Sequence, residues 1–463
     1  MGFNKKTESQ NTLDLSVNDE KPEKDLEKEQ EEEYDPYKQE QTGKTTSYFE
    51  ALLILIKASL GTGILGMPRA FYNAGYLLGT IGTIVAGVLT TQTAHMISST
   101  EYELSRRKRV PRLTYPETIE AAFELGPGNF GRFKRLAGQI CYVYMILLEF
   151  GGDCVYAIFI AENVKAICDH RYGAHSLRWY QTWLMIPLIL ICWIKNLKYL
   201  APGSTLGTGC AVGCFGVIYY FIFSQPIALE GRKAVGSFRE FALFFGTALF
   251  AMGAFGIVVP LKNKMTNPKR FGGTFGVVNA TMIPNMTMYV LMGFFGYLAY
   301  GNFTQSSITL NLPQTGAIGD VIRILMAGSI FTTYPLCNYV VTDMVWHKWM
   351  KLKFGNNKHL DKWEYVFRTC LCFTNYLCCI AIPNLELFMS LSGSLCLPAL
   401  GIFFPIIIHT LTFWHSYTGW RFFFFLFRAA LIVALGLFAF LVSFSTTVYE
   451  IVTSIFLAED NHV

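Results

Sequence analysis

The stretch ALLILIKASLGTGILGMPRAF, residues 51–71, decides how this chain is read. Gly61, Gly63 and Gly66 spell G-x-G-x-x-G, and Pro68 follows two positions later. That pattern marks a dinucleotide-binding turn only where a strand precedes it, a helix follows, and an acidic residue comes about 20 residues on. Here the glycines stand inside a continuous apolar run, and the region around residue 85 reads TIVAGVL, with no acid. Nucleotide binding is rejected. Inside a long apolar helix the same residues mean a break: glycine weakens the helix, and Pro68 removes a hydrogen bond and clashes with the preceding turn. Backbone groups freed at membrane depth are tolerated only where they line a protein-enclosed cavity. Freed N–H groups at the start of a half-helix attract an anion such as a carboxylate, and freed carbonyls attract a cation. The alternative, glycines that merely let helices pack closely, suits Gly203, Gly207, Gly209 and Gly213 better.

Composition sets the solvent. The chain has 463 residues, of which 52% are hydrophobic and 15% charged, and its mean hydropathy is +0.34. Soluble domains carry about a quarter charged residues, so this is an integral membrane protein. Residues 1–47 are different. They hold thirteen Asp or Glu and seven Lys, whereas the whole chain is +5. They read as a disordered acidic tail, too poor in apolar surface to offset the entropy of ordering. The start of the chain has neither a signal-peptide pattern nor a myristoylation signal. The twelve cysteines fall mostly inside apolar stretches and read as small hydrophobes rather than as a disulfide or zinc framework. No metal and no cofactor is expected.

A spanning helix needs about 20 apolar residues. Eleven candidates lie at roughly 49–72, 76–98, 138–162, 178–194, 200–223, 240–261, 275–299, 320–342, 364–383, 386–411 and 423–449. With the amino terminus in the cytosol, the inner loops carry 20 Lys or Arg and the outer loops 6. That bias favours this orientation and puts the carboxyl terminus, 450–463, outside or in a lumen. Asn302, in the sequon Asn302-Phe303-Thr304, then faces outward as a glycosylation site. The sequons at Asn279 and Asn285 fall inside the seventh span and are unusable.

Span 6 repeats the pattern of span 1. It reads ALFAMGAFGIVVPLKNKM, with Gly253, Gly256 and then Pro260. Interrupted helices at matching positions of two halves point to an inverted repeat. Spans 1–5, about 49–223, and spans 6–10, about 240–411, form the two repeats, and span 11 is an addition.

Four stretches now carry a resemblance: KASLGTGILGMPRAFYNAG (57–75), CVYAIFIAENVK (154–165), LFFGTALFAMGAFGIVVPLKNKM (243–265) and PNLELFMSLSGSLCLPAL (383–400). Together they resemble the proton-assisted amino acid transporters of the amino acid/auxin permease group. The resemblance runs over nearly all of 47–449. It implies the leucine-transporter fold and uptake of small neutral amino acids, often coupled to protons, at the cell surface or on lysosomes; the cell surface is preferred. It also implies that Gly61, Thr62 and Gly63 hold the substrate carboxylate. Ala251, Met252, Gly253, Ala254 and Phe255 would line the other side, with the Phe255 ring leaving room for a small side chain.

The chain departs from these relatives at their proton sites. They carry H-L-L-K in span 1 and F-E-G-I-G in span 6; this chain has Ile54 ahead of Lys57, and Met252-Gly253-Ala254-Phe255-Gly256. Both candidate proton groups are gone. Span 3 instead carries Glu149 and Asp153, four residues apart on one helix face. Two close intramembrane carboxylates repel, so one retains a proton. They replace the missing proton site or bind a cation, or else they form a structural pair satisfied by Lys57, His95 or a neighbouring hydroxyl. His95 and His409 read as satisfied polar groups. Arg323 and Asp343 read as reaching the interface from the ends of span 8, and Trp179, Trp183, Trp193, Trp346, Trp414 and Trp420 as an aromatic belt.

The leading reading is therefore a secondary transporter whose partners are small neutral amino acids, protons and the bilayer, with no nucleic acid. A pH-independent facilitator and a sensor that signals through the acidic tail are the alternatives. An enzyme is rejected because no catalytic cluster such as H-E-x-x-H lies in a span, and an ATP-driven pump because the chain has no G-x-x-x-x-G-K-[ST].

Overall fold

The computed structural model describes residues 34–38, 45–195, 197–253, 255–313, 317–354 and 359–460. Among them the chain is helical apart from its connections and one isolated bridge between Thr46 and Met265.

Span 1 is two helices, α1 (Tyr48–Ser59) and α2 (Thr62–Ala74), bent by 47° at Leu60–Gly61. Ser47 starts α1 through a capping box: the Glu50 N–H donates to the Ser47 hydroxyl at 3.3 Å, and the Ser47 N–H to the Glu50 carboxylate at 2.8 Å. α3 (Tyr76–Lys108) follows, then a short amphipathic helix, α4 (Tyr115–Leu125), in the connection between the second and third expected spans. Its own signal was Thr114, Pro116 and Glu117, a second capping box. α5 (Lys134–Tyr172), α6 (Leu177–Cys192) and α7 (Leu197–Ser224) complete the first half.

The second half opens in the same way. Ser237 and Glu240 box the start of α8 (Phe238–Met252), and α9 (Phe255–Lys264) continues after an interruption at Gly253. α10 (Val277–Tyr300), α11 (Ala317–Thr342) and α12 (Leu360–Ala381) follow. α13 (Leu385–Pro398) and α14 (Phe404–Thr412) are joined by a wide π turn over Ala399–Phe403. The Tyr115 hydroxyl donates to the Leu400 carbonyl at 2.6 Å and so satisfies an acceptor in that turn. α15 (Gly419–Asp460) runs along the outside.

Among the described residues eight helical rods are long and apolar enough to cross a membrane, and the bent pair α1–α2 makes a ninth. The other two of the eleven expected spans are helical but differ in kind. α6 is apolar and only 16 residues long. α12 is charged in its first half. Those charges strap the two together: Arg368 donates to the Cys192 carbonyl at 2.9 Å, and Lys195 pairs with Asp361 at 3.1 Å and Glu364 at 3.3 Å.

The centre of the fold is α2 and α8, which pack on each other, α2 also on α10 and α8 also on α13. Three expectations change. Arg323 does not reach the interface; it is fully buried, because it donates to the carbonyls of Thr309 at 3.1 Å and Leu312 at 2.5 Å and organises the loop before α11. Trp346 leaves the aromatic belt for the interior, against Phe367. Most of the acidic tail lies outside the described residues, but residues 34–38 rest on the body, where the Tyr37 ring meets Tyr102 at 4.5 Å.

Candidate functional site

The site grows from the two interruptions. At the first, the Gly61 N–H turns back to the Ser59 carbonyl at 2.9 Å, and there the hydrogen bonding of α1 ends. Gly61 N-caps α2 with an extended backbone and no side chain to offer. The leading N–H groups of α2, from Thr62 onward, have no intrahelical acceptor. The Thr62 hydroxyl is buried and has no partner among the described residues. A half-helix amino terminus with an idle hydroxyl beside it has the chemistry that suits an anion.

The second interruption lies against the first. A methyl on Gly63 would fall 2.5 Å from the Ala251 Cα and 2.8 Å from its Cβ, so only glycine permits this approach. Ala251 and Met252 are buried. Gly253 ends α8 with its N–H on the Phe250 carbonyl at 3.3 Å. Ala254 and the side chain of Phe255 lie outside the described residues.

One residue ties the two interruptions together. The Tyr289 hydroxyl, from α10, reaches the Ser59 carbonyl and, at 2.6 Å, the Ala251 carbonyl. Beside it Asn285 is buried, and both its amide atoms lack partners among the described residues. Ser59, Met252, Asn285 and Tyr289 border a cavity of about 10 Å³, close to the volume one water needs. Sequence reasoning missed both residues of α10. It treated Asn285 only as an unusable sequon, although a polar side chain at membrane depth was the available signal.

Comparison with known proteins fits this geometry. The family model for "Transmembrane amino acid transporter protein" matches residues 44–449. The chain belongs to that family. It is 33% identical over 421 residues to the Drosophila melanogaster "Proton-coupled amino acid transporter-like protein pathetic", covering 91% of this chain and 88% of that one. It is 25% identical over 428 residues to the Caenorhabditis elegans "Probable amino acid transporter skat-1", covering 89% and 92%. In structure it is similar to the inward-facing conformation of Mhp1, with a TM-score of 0.52 at 9% identity over 90% of this chain and 92% of that one. The fold is the leucine-transporter fold, as the resemblance implied, and the role is that of a transporter.

Within this family frame the two carboxylates of α5 are separate neighbours of α11. Asp153 is fully buried. Asn338 donates to its Oδ2 at 3.5 Å, and its Oδ1 has no partner among the described residues. Glu149 sits beside the Cys337 thiol, which also neighbours Tyr156. Its Oε1 would be 3.8 Å from a methyl on Gly256, and the Tyr156 hydroxyl would be 3.8 Å from one on Gly61. Glu149 thus faces the second interruption and Tyr156 the first. Among the described residues no ion pair joins either carboxylate to Lys57, and His95 is engaged elsewhere, with Asn279 at 2.8 Å. Ile54, at the position of the histidine in the resemblance, is 41% exposed. The expected glycan acceptor Asn302 is exposed.

Proposed function

We propose that this member of the amino acid transporter family carries small neutral amino acids across a membrane by alternating access, with protons moving alongside. The observation that carries the reading is the buried, unpartnered Thr62 hydroxyl at the uncapped start of α2. The substrate carboxylate binds the N–H groups of Thr62 and Gly63 together with that hydroxyl. The Gly61 N–H, already held by Ser59, contributes shape rather than a bond. The substrate ammonium turns to the carbonyl oxygens at the end of α8, around Ala251, Met252 and Gly253, near Ala254 and Phe255. The contact of Gly63 with Ala251 and the water-sized cavity beside Tyr289 favour a small side chain.

Protons ride on Glu149 and Asp153. Glu149 stands nearer the substrate, facing Gly256, and Asp153 lies behind it with one oxygen free. The amino terminus is cytosolic, the cell surface is the working membrane, and Asn302 carries a glycan. The name of the Drosophila relative, proton-coupled amino acid transporter-like, is in line with this.

Uptake of labelled alanine, glycine and proline by cells expressing the chain, at an outside pH of about 5.5 and about 7.5, tests the proposal. Uptake rises at acid pH, and Asp153→Asn flattens that rise. Thr62→Val raises KM about tenfold, the worth of one hydrogen bond to a charged group. No uptake, with the protein shown to be at the surface, would replace the transporter with the sensor.

A further inference from the structure

A second site lies away from the interruptions. α3, α10 and α15 enclose a groove of about 1040 Å³. Its lining includes the charged Lys269 and Arg428, polar side chains such as Gln92 and His95, and apolar side chains that include Val88 and Ile283. Val88 is 56% exposed and Ile283 59%, so the groove opens sideways to lipid. Lys269 stands on the side of the basic loops.

Arg428 is the unusual feature. It stands in RFFFFLFRAALIVALGLF on α15, a helix whose apolar window is only 6% buried in the protein. It is exposed and, among the described residues, has neither a hydrogen bond nor a carboxylate partner; the ionisable group facing it is His409. Lys269 is partly compensated by Asp35 at 3.2 Å. An unpaired guanidinium on a lipid-facing helix is costly. It lies about 14 Å along α15 from Gly419, near enough to the interface for its long side chain to reach headgroup depth. Guanidinium is the side-chain group best suited to a phosphate. Basic pockets between spanning helices, open to the cytosolic leaflet, are where anionic headgroups bind.

We propose that this groove binds an anionic phospholipid, with its phosphate on Arg428 and Lys269 and its upper acyl chains against Val88 and Ile283. That the lipid comes from the cytosolic leaflet rests on the orientation proposed above; the binding itself does not.

The test is native mass spectrometry of the full chain in detergent with equal amounts of phosphatidylserine and phosphatidylcholine. Phosphatidylserine is retained about fivefold more than phosphatidylcholine, as expected for one basic contact at the membrane surface. Arg428→Gln abolishes the preference. Ile283→Trp, which keeps the charge and fills the groove, lowers retention of both lipids. Soluble glycerophosphoserine in excess leaves the bound lipid in place. Equal retention of the two lipids, or an unchanged preference in Arg428→Gln, would overturn the site. Displacement by glycerophosphoserine would make it a site for soluble phosphate esters and overturn the lipid.

Discussion

The two half-helices that follow the interruptions carry the same device at different depths. On α2, Arg69 comes directly after Pro68 and pairs with Glu386 at 2.8 Å, with side chains 30% and 11% exposed. On α9, Lys262 comes just after Pro260 and pairs with Glu101 at 2.6 Å, with side chains 1% and 3% exposed. Each pair joins a half-helix to the opposite repeat or its neighbour, at opposite ends of the molecule. The Arg69 pair is partly exposed on its arginine side and shared: Asn73 donates to Glu386 at 2.5 Å and Arg69 to the Thr304 carbonyl at 3.2 Å. The Lys262 pair is dry, roofed by the Ser98 carbonyl at 2.5 Å and the Tyr37 ring at 5.4 Å. Sequence symmetry therefore does not make energetic symmetry. Water screens one latch and leaves the other at full strength, with a full penalty if one partner is lost.

The sharpest way to break this comparison is to remove one partner from each latch. Lys262→Met strands a buried carboxylate and costs about 3–5 kcal/mol in thermal unfolding of the purified protein, whereas Arg69→Met costs about 1 kcal/mol. Equal losses would mean that burial does not distinguish the latches. Next is the contact between the interruptions. Gly63→Val drives a side chain into the Ala251 backbone, costs up to about 3 kcal/mol and stops uptake. Gly61→Ala, with only Tyr156 at 3.8 Å, leaves both nearly intact. Tyr289→Phe removes the hydroxyl shared by the two interruptions and costs about 1–2 kcal/mol through two underbonded carbonyls; a melting point equal to the parent's would show that water replaces it. The smallest effect is expected far from both. Lys108 at 2.5 Å and then Lys134 at 2.8 Å pull the Glu124 carboxyl down to about 2. Such a depressed acid stabilises the fold above the ordinary glutamate range, and that share is lost as pH falls toward 2. Because the groups are at the surface, Glu124→Gln costs within about 1 kcal/mol near neutral pH and flattens the acid limb of a melting-temperature profile.

Both interruptions were legible because glycine acts locally: whatever surrounds them, Gly61 and Gly253 weaken a helix where they stand, whereas Pro68 and Pro260 mark the following half-helices, which run on through them. The shared opening of the two halves, Ser47 with Glu50 and Ser237 with Glu240, is a local signal of the same kind. What could not be read depends on who faces whom. Glu149 and Asp153 share a helix face, yet one meets Cys337 and the other Asn338, partners nearly two hundred residues on. Arg323 looked like an interface residue because its position near the end of α11 was visible, while the carbonyls that bury it belong to the folded loop. Tyr289 carried no mark at all: an aromatic residue in an apolar helix is ordinary until two carbonyls are found within its reach.

That tyrosine has one hydrogen to give and two acceptors, and the acceptors belong to helices from different halves. If α1 swings away, the hydrogen goes wholly to Ala251; if α8 moves, it goes to Ser59. The molecule thus holds a balance whose pointer is a single atom. A carbonyl stretching frequency at Ser59 or Ala251, labelled with carbon-13, would show which way it leans during each turn of the cycle.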